Sequence, residues 1–91
     1  TKREAAQRCC LSESTISRMC QDNSFPYDVE QITKLVVGLS LPPLLSAMLL
    51  ETMGFTKTVM LRYYRYQCII DCMFMDDLET VMETHRELFE Q

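Results

Sequence analysis

The sequence predicts an all-α fold, and three observations carry the prediction. Apolar residues recur at three- and four-residue spacing, the period at which side chains share one face of a helix. Only two glycines and three prolines interrupt 91 residues, so long stretches run free of the two strongest helix breakers. Apolar residues make up 47% and charged residues 24%, the balance of a folded globule, and the length suits a single core.

Residues 2 to 9 read as a short helix with Ala5 and Ala6 at its middle, and Cys10 and Leu11 as a turn. Ser12 is the next N-cap: its hydroxyl can accept from a first-turn amide, and Glu13 suits the positive end of the helix dipole. Leu11, Ile16 and Met19 give that helix its inward stripe, and Asp22, Asn23, Ser24 and Pro26 end it in a loop. Asp28 and Gln31 have capping-box spacing ahead of Val29, Ile32, Leu35, Val36 and Leu39, so a third helix runs from about 28 and stops before Pro42. Pro42 and Pro43 suit the first turn of a fourth helix, which runs through Leu45, Met48 and Leu49 and ends at Gly54 in a left-handed stop. From Thr58 to Cys72 nearly every position is apolar or aromatic. Val59, Met60, Leu61, Tyr63, Tyr64, Tyr66, Ile69 and Ile70 thus predict one helix covered on most sides. Asp76 and Glu79 form another capping box, followed by an amphipathic last helix on Leu78, Val81, Met82 and Phe89 with an acidic outer face.

The longest apolar candidate for a membrane span, Leu39 to Leu50, falls short of the ~18 residues required and contains two prolines. Lys2, Arg3 and Glu4 open the chain with no apolar h-region behind them, so neither a membrane nor export is expected. Cys9, Cys10, Cys20, Cys68 and Cys72 are an odd set without the spacing of a disulfide framework, which fits thiols in a reducing, cytoplasmic setting. Cys68 and Cys72 share a helix face, but a structural zinc needs four ligands, and His85 is the sole histidine; no metal and no cofactor are expected. The net charge of −4 is unevenly spread. Lys2, Arg3, Arg8 and Arg18 outweigh Glu4 and Glu13 within residues 1 to 20. Against that, Asp71, Asp76, Asp77, Glu79, Glu83, Glu87 and Glu90 face a single cation, Arg86, within residues 71 to 91. A chain polarised in this way suits one end meeting phosphate.

The stretch KREAAQRCCLSESTISRM, Lys2 to Met19, resembles the helix-turn-helix of the phage-repressor-like (Xre/Cro) family of bacterial and phage DNA-binding proteins. Ala6, Cys10, Leu11, Ile16 and Met19 occupy that pattern's small, turn and hydrophobic positions. A small residue lets two helices cross closely, and the hydrophobes pin the second helix to the body. The turn position is most often glycine in the family; Cys10 there costs about 1 kcal/mol. KLVVGLSLPPLLSAMLLETMG and the tyrosine-rich segment after it look like the continuation found in small Firmicutes regulators. The resemblance implies a lambda-repressor-like helix-turn-helix domain over residues 1–54, its first helix lying upstream of residue 1. Residues 55–91 would then be an added C-terminal helical pair. It further implies sequence-specific binding of double-stranded DNA by a transcriptional regulator. Glu13, Ser14, Ser17 and Arg18 match base-facing positions, and Lys2, Arg3 and Thr15 would hold phosphates. Arg18 can donate two parallel bonds to guanine O6 and N7, worth about 1 to 3 kcal/mol of discrimination. Such proteins bind as two-fold homodimers, and the apolar Val59 to Phe74 stretch is one candidate interface, the fold's own core being the other use for it.

A catalyst needs a nucleophile with a base, paired carboxylates in a cleft, or a metal, and the sequence assembles none, so no enzyme is expected. The competing function is an Xre-like module that binds another protein, as an antitoxin or anti-repressor partner, which the overall acidity favours.

Overall fold

The computed structural model describes residues 1–22 and 24–89; Asn23 of the expected loop and Glu90 of the expected acidic face lie outside the described residues. Among those described the chain is all-helical and without strands. The order is α1 (Lys2–Cys9), α2 (Glu13–Gln21), α3 (Val29–Gly38), α4 (Pro43–Thr52), α5 (Lys57–Met60), α6 (Tyr64–Cys72), α7 (Leu78–Thr84) and α8 (Arg86–Phe89). Within the described residues no helix is long and apolar enough to cross a membrane.

Three helices end by the same device. After α1, α3 and α4 a single residue turns left-handed: Cys10 at φ 53°, Ser40 at φ 54° and Gly54 at φ 87°. The amide one residue on then returns to the carbonyl five back: Leu11 to Ala6 at 3.0 Å, Leu41 to Val36 at 2.9 Å, Phe55 to Leu50 at 2.8 Å. This is the Schellman cap, in which otherwise unpaired last-turn carbonyls are satisfied and a following hydrophobe folds back onto the helix. Leu11, Leu41 and Phe55 are those hydrophobes, each half-buried. The helix starts follow the sequence: the Ser12 hydroxyl accepts from the Thr15 amide at 3.1 Å, and the Gln31 side chain accepts from the Asp28 amide at 3.1 Å.

The core is organised around α3, whose Val29, Ile32, Thr33, Val36, Val37 and Gly38 are all buried. Thr33 is tolerated there because its hydroxyl donates to the Val29 carbonyl at 2.8 Å, leaving no orphaned polar atom. One cluster joins Tyr27, Val29, Ile32 and Val36 to Leu50, Met60 and Ile70, so side chains from both sides of Gly54 share it. A second joins Val37 to Ile69, Leu78, Val81 and Phe89. The third joins Ala6, Cys9 and Ile16, with Leu35 and Leu39 alongside.

The structure departs from expectation in three places. The helix expected over 58–72 is broken between Met60 and Tyr64. Tyr63 leaves the helical region (φ −114°, ψ 35°), and its ring packs edge-on against Phe55 and Tyr66, each 6.3 Å away. Nor is the segment covered on most sides, since Leu61 is 74% and Tyr64 63% exposed. On α4 the buried residues are Leu50 and Ser46, while Leu45 and Met48 are exposed. Ser46 can be buried because its hydroxyl donates to the Pro43 carbonyl at 3.1 Å. The cap of α7 is Asp77 and not Asp76: its carboxylate accepts from both the amide and the hydroxyl of Thr80 at 3.1 Å. Finally, the expected last helix divides at His85, whose backbone turns out of the helical region (φ −118°, ψ 48°).

Candidate functional site

The site begins with the contact that fixes α1. Gly38, at the end of α3, lies so close to α1 that a Cβ there would sit 2.6 Å from the Arg8 carbonyl oxygen and 2.7 Å from the Cys9 Cα. Cys9 is fully buried in this seam, and its thiol donates to the Leu35 carbonyl at 3.9 Å. Burial pushes the Cys9 thiol above its ordinary pKa, so it is a neutral packing group. With α1 held in this way, the left-handed turn at Cys10 (φ 53°, ψ 38°) swings the chain into α2. Ala6, Cys9 and Ile16 close the seam between the two helices.

What faces outward on α2 is polar. Glu13, Ser14 and Arg18 are exposed, and Ser17 and Thr15 half-buried. The hydroxyls cluster at the N-terminal end: Ser12 Oγ is 2.8 Å from Thr15 Oγ1 and 3.1 Å from Ser14 Oγ. Thr15 is thus engaged in the cap, although it stays beside the outer face. Lys2 and Arg3 are exposed on α1, and Arg3 Nε reaches Glu13 at 3.8 Å, so a residue expected on phosphate meets one expected on a base. Of the seven candidates, Lys2, Arg3, Glu13, Ser14 and Arg18 are therefore exposed and Thr15 and Ser17 half-buried, and the Arg3–Glu13 pair brings the start of α1 beside the start of α2.

Arg18 is held differently. Its Cζ lies 4.5 Å from the centroid of the Phe25 ring, over the ring. Phe25 and Gly38 are the two residues of this site that the sequence reading missed. The available signal for Phe25 was an aromatic just beyond a helix end, seven residues after an arginine.

The charge distribution also differs in space from its linear order. Cys10 borders a surface depression that Asp77, Glu79, Thr80 and Glu83 line from the α7 side. Partial desolvation raises the Cys10 thiol pKa, with Glu79 and Asp77 adding to the effect and Lys34 opposing it. The acidic end, remote in sequence, therefore flanks the turn between α1 and α2. All five cysteines are free and all but Cys9 are exposed, and no group of three or more potential metal-ligating residues occurs among the described residues. On another side, Pro43, Ala47, Phe55, Leu61, Tyr64 and Cys68 line an apolar groove of about 590 Å³ between α4 and the α5–α6 segment.

Neither a protein-family model, nor a curated protein, nor a solved structure matches the chain.

Proposed function

We propose that this chain is a DNA-binding transcriptional regulator of the phage-repressor-like helix-turn-helix type, which lays α2 in the major groove of duplex DNA. The observation that carries the reading is the turn at Cys10. A single left-handed residue there sets α2 across α1, with the Ala6–Cys9–Ile16 seam on the inside and Glu13, Ser14 and Arg18 on the outside. In this role Glu13, Ser14, Ser17 and Arg18 face base edges, and Lys2, Arg3 and Thr15 face phosphates. The protein works as a homodimer, and the exposed Leu61 and Tyr64 beside the apolar groove supply surface for the contact. Sedimentation at the concentration used for DNA titration reads that state.

The test is selection from a randomised duplex library, followed by salt titration on the enriched duplex. Arg18→Ala should erase preference at one base pair, a loss of about 1 to 3 kcal/mol. Lys2→Ala should weaken all sequences alike and flatten the logarithmic salt slope by about 0.9. No duplex binding at low salt would dismiss the reading. One observation favours the second reading, a protein-interaction module such as an antitoxin or anti-repressor: Asp77, Glu79 and Glu83 stand beside the Cys10 turn, where they would repel phosphate.

A further inference from the structure

We propose that Phe25 is a positioning residue for Arg18, fixing the guanidinium so that its N–H fork is already aimed when a guanine-bearing base pair arrives. The inference rests on the DNA-binding reading and deepens it. Arg18 is exposed on the outer face of α2, and its Cζ lies 4.5 Å from the Phe25 ring centroid. A contact over a ring face restrains the head group through dispersion and the ring quadrupole, yet uses none of its donors. Among the described residues no acceptor takes a hydrogen bond from the Arg18 guanidinium, whose recorded contact is the Phe25 ring. Arg3, by contrast, is drawn toward Glu13.

The ring is itself held. It stands 5.1 Å from the ring of Tyr27, which is buried and whose hydroxyl donates to the Asp22 carbonyl at 2.6 Å. Asp22 ties the loop again, its carboxylate accepting from the Ser24 amide at 3.0 Å and the Ser24 hydroxyl at 2.6 Å. Such a platform explains why a phenylalanine is left 40% exposed at the edge of a polar face. An arginine that arrives ordered loses less side-chain freedom on binding, and the gain falls on the matched base pair alone, since only there are both parallel bonds made.

The experiment is a double-mutant cycle on the duplex enriched from the randomised library and on the same duplex changed at the Arg18-dependent base pair. Phe25→Ala and Phe25→Leu should each reduce discrimination between the two by about two- to fivefold, whereas Phe25→Trp should retain it. In the Arg18→Ala background the same Phe25 changes should leave affinity for the enriched duplex unchanged. Undiminished discrimination in the Phe25 variants, or an equal loss of affinity for the enriched duplex with and without Arg18, would overturn the positioning role and leave the DNA reading standing. A library that yields no enriched duplex would overturn both. Urea unfolding of each variant, with Phe25→Leu keeping the apolar bulk, separates loss of fold from loss of aim.

Discussion

Gly38→Ala is the perturbation that most directly probes how α1 is held. A methyl group built at Gly38 meets the Arg8 carbonyl oxygen at 2.6 Å, the Cys9 Cα at 2.7 Å and the Cys9 Sγ at 2.8 Å. Two of these are backbone atoms, so no side-chain rotation relieves the clash. The helix must separate from its neighbour, opening the seam in which Cys9 is fully buried. Overpacking of this kind costs about 1 to 3 kcal/mol. Alanine also gains roughly 0.5 to 1 kcal/mol over glycine inside a helix, but Gly38 is the last residue of α3, where the gain is smallest. The steric term wins, leaving a net loss of about 1 to 2 kcal/mol. For a chain of this size the melting temperature should fall by roughly 4 to 15 °C. Thermal unfolding followed by far-ultraviolet circular dichroism reads this directly. Gly54→Ala is the comparison: nothing stands within 4 Å of its Cβ, and only the left-handed backbone (φ 87°) opposes it, a cost of about 1 kcal/mol. A Gly38→Ala protein that melts at or above the wild-type temperature would show that α1 is not pressed onto α3 and that this contact does not set how α2 is presented.

Two further outcomes follow from single residues. Cys10→Gly should stabilise the protein by about 0.5 to 1 kcal/mol, because glycine adopts φ 53° without the penalty that a Cβ brings, offset partly by a freer unfolded chain. Urea midpoints check it, and a destabilised variant would mean that the thiol makes contacts worth more than the strain. The Asp22 carboxyl is held below the usual range, chiefly by the Ser24 hydroxyl and then by the Ser24 amide. A folded pKa below the unfolded one contributes stability that is complete above the ordinary value near about 4 and drains as pH falls through the lowered one. The wild-type advantage over Asp22→Asn should therefore be present at about pH 6 and close toward about pH 3; a pH-independent difference in urea midpoint would refute the assignment.

The parts of this fold that could be read from the sequence are those where one residue type does one local task. Ser12 and the Asp28–Gln31 pair mark helix starts because their side chains reach amides only three residues away. Gly54 marks a stop because its backbone turns left-handed. The candidate surface on α2 was legible for the same reason, since Ile16 and the residues around it alternate at helical period. What escaped the reading depends on partners distant in sequence or on contrast that is missing. In α4 almost every residue is apolar, so periodicity could not say that Leu50 and Ser46 face inward while Leu44, Leu45 and Met48 face out. No glycine or proline announces the break at Tyr63; three aromatic rings, Phe55, Tyr63 and Tyr66, settle it by packing. Asp76 and Asp77 are equal candidates for a cap until Thr80 supplies both donors to the second. Ser40, left-handed after α3, carries no sequence sign of its role. Gly38 reads as a weak helix residue until its approach to Cys9 is seen.

Among the described residues, α3 reaches each of three apolar clusters: Ile32 and Val36 belong to one, Val37 to the next, and Leu35 packs against the last. The helix acts as a spindle on which the remaining elements are wound. A spindle cannot be withdrawn while the windings stay in place, so loosening any one of them strips part of α3 to water and weakens the others. Cooperative loss of the whole, without a surviving fragment, is what such a layout imposes on the chain.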